Sequence, residues 1–275
     1  MDEQICSGLV SDKDLILTGL SGFNSSDGSF LRSAHKIGLP VIACLDRDDG
    51  YGFRLGGNVE DIPDIITVPT IDCINSLIRE LPEKNRDEAV ARARVVGWAQ
   101  FDHYPDLRKN FNEENRKAIV EKLKHSLEEK LYVHFTQNQD PNSEYWKKIS
   151  LSREEKKKIF DYKLRVTEIA FTAASDLGLK LMIKPHPGEK YIVNHTLDLV
   201  HKHAFKFIPA DSCSSADLIL VAESITADKS FSLVEACLLD KNTAGLVPEI
   251  SEQELKTFPC LKYKAIPYAE HWDEI

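Results

Sequence analysis

Lys184-Pro185-His186-Pro187-Gly188-Glu189 and Ala227-Asp228-Lys229-Ser230-Phe231-Ser232-Leu233-Val234-Glu235-Ala236 set the architecture expected of this chain. Each follows an apolar run, Leu179 to Ile183 and Leu218 to Val221, with the length and composition of a buried strand. The second motif opens directly into a helical pattern. The expected result is a set of strands whose carboxyl ends carry a histidine, two hydroxyls and the free N–H groups of a helix start. Open parallel α/β sheets bind phosphorylated ligands at that edge. A pocket for a nucleoside mono- or diphosphate is therefore expected.

The same alternation extends over the rest of the chain. Leu15-Ile16-Leu17-Thr18 reads as a short strand, Gly19 to Gly28 as a turn, and Phe30 to Ile37 as a helix stopped by Gly38 and Pro40. Val41 to Leu45 is a continuous apolar run, as in a parallel strand covered on both faces. A polar loop, Asp46 to Asn58, follows. Ile65 to Val68 is the next strand, Ile71 to Leu81 a helix, and Arg94 to Gly97 a closing strand. Asp102 to Phe111, with a proline, several charges and no apolar period, reads as a domain junction. Beyond it Asn112 can cap a helix with Glu113 and Glu114 in its first turn and Ile119, Leu123 and Leu127 as its buried stripe.

Leu131 to Phe135 is a strand and Thr136 to Arg153 a polar loop. The helix Glu154 to Leu177 would bury Ile159, Tyr162, Val166, Ile169 and Ala173. After the strand at 179–183 come a helix near Val193 to His203, a short strand Lys206 to Ile208, the strand at 218–221, a helix over 230–239 and a strand Thr243 to Val247. Strands joined by helices require right-handed crossovers and parallel sheets. The expected fold is α/β, with two tandem Rossmann-like parallel-sheet domains, residues 1–102 and 103–275.

Composition narrows the partners. The chain has 275 residues, 42% hydrophobic and 29% charged, ordinary values for a globular protein. Its 44 acids against 35 bases leave a formal net charge of −9, which argues against nucleic acid or an anionic membrane surface as a partner. No apolar run approaches the roughly 18 residues of a membrane span, and Met1-Asp2-Glu3-Gln4 does not begin a signal peptide. Six scattered cysteines without a CxxC pattern suit a reduced, cytoplasmic protein, and no ligand spacing supports a metal.

Several residues carry the expected chemistry. Pro185 and Pro187 restrict the backbone around His186, whose ring is either a phosphate donor or a turn histidine closing the strand. Ser230 and Ser232 either bind an anion at the helix start or, with Asp228, simply cap it. Glu235, one turn in, is placed to accept from ribose hydroxyls. Thr136 and Gln137 follow the strand 131–135 at the same edge, with Tyr145 and Trp146 further along that loop. Asp46, Asp48 and Asp49 cluster after a strand, where one carboxylate could act as a general base; a solvated Asp-Asp-Gly turn has the same composition.

With these motifs the chain resembles the GT-B superfamily of glycosyltransferases and its relatives. Asp228-x-Ser230 before a helix, with Glu235-Ala236-x-x-Leu239-x-Lys241, looks like the donor segment of CDP-glycerol glycerophosphotransferases, bacterial capsule enzymes and UDP-N-acetylglucosamine 2-epimerases. Lys184-Pro185-His186-Pro187-x-Glu189 is similar to the His-Pro motif of the glycerophosphotransferases and of bacterial sialyltransferases. Asp48-Asp49-Gly50 matches the latter's base motif by letters and order. Lys229 and Phe231 depart from the small residues expected of an epimerase. The first domain looks incomplete, because such domains usually carry further βα units before the strand equivalent to 14–18.

The resemblance implies a sugar-nucleotide-dependent glycosyl- or glycerophosphotransferase of surface-polysaccharide biosynthesis. It needs no cofactor or metal, only a nucleotide-activated donor as substrate and a saccharide or glycolipid acceptor. His186, Ser230 and Ser232 would bind donor phosphate, Glu235, Thr136 and Gln137 the ribose or base, and Asp48 or Asp49 would be the acceptor base. The alternatives are a non-catalytic nucleotide-binding subunit completed by a partner chain or a second copy, and a sugar-nucleotide epimerase or hydrolase.

Overall fold

Up to Asp102, four short apolar runs form parallel strands: β1 (Ile16–Thr18), β2 (Val41–Cys44), β3 (Ile65–Val68) and β4 (Ala93–Val95). Between them lie α1 (Ser26–Lys36), α2 (Tyr51–Leu55), α3 (Ile71–Glu80) and α4 (Glu83–Arg92). The computed structural model describes residues 15–20, 26–45, 50–136, 152–186, 206–209, 212–228, 230–247 and 265–269. The chain divides into two compact units, Met1–Asp102 and His103–Ile275.

The first sheet has the order β1-β2-β3-β4. An order that never reverses, with right-handed crossovers, puts every connecting helix on one face. That face carries Ile16, Val41, Ala43, Ile66 and Val68, which share a core with Leu31, Ala34, Leu55, Leu77 and Ala89. The register puts Leu17, Ile42 and Ile65 in one row of the other face and Cys44 and Thr67 in the next. Among the described residues this second face is open, and Leu17 is 67% exposed. Among the described residues, the run Val41 to Leu45 expected to be covered on both faces is covered on one.

Two further readings are corrected in this unit. Part of the expected polar loop is α2, because Tyr51 and Leu55 are fully buried and the Tyr51 N–H donates to Glu80 Oε2 at 2.8 Å. Helix α4 was not expected; Asn85 and Ala89 are buried on it. Gly38, at φ 75, ends α1 in the left-handed conformation, and Leu39 N then donates to Ala34 O at 3.0 Å.

The unit from His103 begins with α5 (Tyr104–Asn110) and α6 (Glu113–Lys122). It continues through β5 (Leu131–Phe135), α7 (Arg153–Asp176), β6 (Lys180–Lys184), β7 (Lys206–Phe207), α8 (Ser215–Val221), β8 (Ser224–Ala227), α9 (Ser232–Leu238), β9 (Asn242–Leu246) and β10 (Tyr268–Ala269). Helix α5 occupies most of the expected junction. The buried residues of α6 and its end are Val120 and Leu123, whereas Leu127 is exposed. Ser152 caps α7 reciprocally with Glu155: Ser152 Oγ accepts from Glu155 N at 3.2 Å, and Glu155 Oε2 accepts from Ser152 N at 2.8 Å. The helix expected near Val193 to His203 lies outside the described residues.

Leu218 to Val221 is not a strand. Ser214 Oγ accepts from Asp217 N at 3.0 Å and starts α8, whose last four residues are all buried. A short apolar run buried all round has no period that separates helix from strand. The strand itself is the next segment, Ser224–Ala227.

The six strands are parallel in the order β10-β9-β8-β5-β6-β7. Numbered within the unit from β7, this is the doubly wound order 3-2-1-4-5-6. All five residues of β5, at the centre, are buried. Helix α7 lays Val166, Ala170, Ala173 and Ala174 on Tyr132, Leu181 and Ile183. Both units are thus α/β with parallel strands only.

Candidate functional site

Three strand ends stand level where the order of the second sheet reverses. Phe135 is paired with Lys184 on β6 and with Ala227 on β8, so Thr136, Pro185 and Asp228 each lie one residue beyond the ladder. The chain leaves β5 for β6 on one side and β8 for β9 on the other. Crossovers on opposite faces leave a crevice at this carboxyl edge, where open α/β sheets take ligands.

Thr136 and His186 are brought together. Thr136 N extends the ladder to Lys184 O at 3.0 Å, and Thr136 Oγ1 accepts from His186 N at 3.2 Å. The hydroxyl thus holds the backbone of the histidine, while the His186 side chain remains exposed. Lys184 of the same motif is structural: its buried Nζ donates to Pro209 O at 3.0 Å and Cys213 O at 2.7 Å.

Ser230 and Ser232 are also brought together, with Ser230 Oγ donating to Ser232 Oγ at 3.2 Å. Ser232 N donates to Ser230 Oγ at 3.3 Å, and Ser230 N to Asp228 O at 2.7 Å. Ser230 therefore shapes the entry to α9. Asp228, 3% exposed, accepts from the Tyr162 hydroxyl at 3.0 Å through Oδ1.

Glu235 lies in the first turn of α9, turned toward α5. Its carboxyl interacts with the Tyr104 hydroxyl, while Oε2 is shielded and has no hydrogen-bond partner among the described residues. Burial pushes its pKa up; the hydrogen bond from Tyr104 and the His103 ring partly offset this. The Tyr104 hydroxyl is pushed up as well, by burial first and by the Glu235 carboxylate second. A ribose role for Glu235 needs Oε2 opened to the crevice. Gln137, Tyr145, Trp146, Asp48 and Asp49 lie outside the described residues.

Sequence reasoning missed two groups below the edge. His134, fully buried on β5, makes a 3.0 Å Nδ1···Oγ1 contact with Thr226. Burial, with a smaller contribution from the Lys163 charge, lowers its pKa to about 3, so it is neutral. Lys163, 8% exposed, stands on the sheet-facing stripe of α7. Burial and the same lysine also lower the His186 pKa. The lowered pKa favours the neutral imidazole, in which one nitrogen is a donor and the other an acceptor. The signal for both residues was a polar side chain at an apolar position: His134 within Leu-Tyr-Val-His-Phe, Lys163 three residues before Val166. Among the described residues there is no group of three or more potential metal ligands, and no helix is long and apolar enough to cross a membrane.

No family model and no curated protein matches the chain. Solved structures do. The wall teichoic acid polymerase TagF matches with TM-score 0.53 at 12% identity, over 85% of this chain and 56% of that one. The UDP-GlcNAc 2-epimerase from Methanocaldococcus jannaschii matches with TM-score 0.60 at 17% identity, over 98% and 70%. The UDP-N-acetylglucosamine 2-epimerase from Rickettsia bellii matches with TM-score 0.50 at 16% identity, over 91% and 60%. The chain spans a little over half of the polymerase it matches. At these identities the likeness is one of fold, and that fold is GT-B-like.

Proposed function

We propose that this GT-B-like chain is a sugar-nucleotide-dependent glycosyl- or glycerophosphotransferase of surface-polysaccharide biosynthesis, with its donor nucleotide held by the unit His103–Ile275. One observation carries the reading: Thr136, His186 and Asp228 stand together at the point where the strand order reverses. His186, Ser230 and Ser232 would bind the donor phosphate, with Thr136 and Gln137 toward the ribose or base. Glu235 would join them once released from Tyr104. Support also comes from the names of the fold's other bearers, which refer to teichoic acid polymerisation and UDP-GlcNAc epimerisation.

In the proposed reaction the acceptor hydroxyl loses its proton to Asp48 or Asp49. Its oxygen bonds to the transferred group, and the bond from that group to the donor phosphate breaks. The phosphate leaves with the electron pair, and hydrogen bonds from His186 and the serines would stabilise its new charge. The test is turnover of CDP-glycerol and of UDP- and CMP-sugars with and without saccharide acceptors. Acceptor-dependent release of CMP (from CDP-glycerol or a CMP-sugar) or of UDP that falls at least about 100-fold in His186→Ala supports transfer. Full turnover by that variant would remove the role assigned to His186, and acceptor-independent isomerised or hydrolysed product would indicate an epimerase or hydrolase.

A second reading draws on the first unit. Among the described residues its sheet has no strand-order reversal and leaves an apolar face open around Leu17, Ile42 and Ile65. A nucleotide-binding subunit completed by a partner chain would have such a face. It would show nucleotide binding without turnover until the partner is supplied.

A further inference from the structure

We propose that Lys163 is the cation that meets the phosphates of a bound nucleoside diphosphate, an inference that rests on the nucleotide-binding reading of this crevice. Helix α7 runs back from the carboxyl edge of the sheet to the amino end of β6, so its N-terminal half overlies the carboxyl edge. Its buried stripe is Lys163, Val166, Thr167, Ala170, Ala173 and Ala174. Lys163 is the member nearest the helix start, one turn above the apolar core on Leu181 and Ile183. Packing alone would be served there by a leucine or methionine.

The position is tied to the site by its neighbours. The preceding residue, Tyr162, reaches Asp228 at the end of β8. The Lys163 ammonium is felt by both His134 on β5 and His186 beyond β6. Burial first and the Lys163 charge second hold both imidazoles toward their neutral forms, so the positive potential of the lysine reaches the strand ends. Taking an ammonium out of water costs several kcal/mol unless anionic groups and hydrogen bonds compensate. Asp228 is the buried acid at the same edge, and a diphosphate brings further anionic oxygens to it. A lysine is a compact point charge with three donors, suited to phosphate oxygens that need no planar fork.

The test compares the full chain with Lys163→Met and Lys163→Arg in calorimetric titrations with CDP, UDP and GDP and with the matching nucleosides. Wild-type protein should bind one diphosphate. Lys163→Met should weaken it about 10- to 100-fold, the worth of one charge-assisted hydrogen bond, with nucleoside affinity unchanged. Lys163→Arg should retain most of the diphosphate affinity. Should Lys163→Met fail to fold, Lys163→Gln carries the same contrast. Diphosphate binding untouched by loss of the charge, or diphosphate and nucleoside affinities falling together, would overturn the assignment and leave nucleotide binding standing. Wild-type protein that binds no diphosphate would overturn both.

Discussion

Lowering the pH from 7.5 to 5 should unfold the second unit's core more readily through one residue, His134. Its imidazole is fully buried and its pKa is lowered from 6.5 to about 3, by burial first and by Lys163 second. The unfolded chain therefore takes up a proton near pH 6.5 that the folded chain refuses until near pH 3. Stability contributed by this neutral histidine is complete above pH 6.5 and is lost as the pH falls toward the folded value. Integrating at about 1.36 kcal/mol per pH unit below 6.5 gives a loss of about 2 kcal/mol at pH 5. Because pH 5 lies well above the folded value, that figure depends almost wholly on the unfolded pKa. With a urea m-value of about 2 kcal/mol per molar, the midpoint should fall by about 1 M. Urea unfolding followed by circular dichroism at pH 7.5, 6 and 5 measures it. The variant His134→Asn, which keeps a polar group near Nδ1 and cannot titrate, should lose this part of the slope while starting less stable. Parallel profiles for the two proteins across this window would refute the reasoning.

Other expectations follow from the same site. Glu235 has its folded pKa raised by burial, so the fold prefers the protonated form and loses stability as the pH rises through that value. Glu235→Gln should flatten that loss and give the higher melting temperature at pH 8, read by differential scanning fluorimetry at pH 5 and 8. Lys184→Met leaves the Pro209 and Cys213 carbonyls without their buried donor and should cost about 2–3 kcal/mol in a denaturant titration. Thr136→Val removes the acceptor for His186 N at a cost of about 1 kcal/mol; nucleotide affinity measured by calorimetry should fall with it.

Much of the fold was legible because apolar runs bounded by turn residues are reliable where a parallel strand is buried. β5 falls at the bounds expected, and β2, β3 and α7 within a residue or so. Where burial came without a period, the reading failed. Leu218 to Val221 is buried on every side of a short helix and resembled a strand. Tyr51 and Leu55 were hidden in a stretch of acids and glycines, and their burial depends on α3, which supplies Glu80 to the Tyr51 N–H. Strand order was not legible at all, since it is a property of distant pairings. That order locates the crevice in the second unit and, among the described residues, leaves one face of the first sheet open.

The candidate site divides in the same way. Thr136, His186, Ser230 and Ser232 announce themselves by following strands or opening a helix, and the structure puts each pair in contact. His134 and Lys163 show in sequence only as polar side chains at apolar positions and Asp228 only as a candidate cap, and it is their burial that sets them apart. Glu235 fits a ribose-binding pattern in sequence, whereas in space its carboxyl meets Tyr104 of α5, a partner more than a hundred residues earlier in the chain.

Nucleotide binding at the carboxyl edge of β5, β6 and β8 is tested most directly by thermal unfolding of the full chain with CMP, CDP, UMP, UDP, GDP and their sugar conjugates. At about a hundredfold excess over Kd, binding should add about 2.7 kcal/mol. At roughly 2–4 °C per kcal/mol, this is a rise of about 5–10 °C with one base, much reduced in His186→Ala and Ser230→Ala. No rise with any nucleotide, or a rise that both variants retain in full, would contradict it.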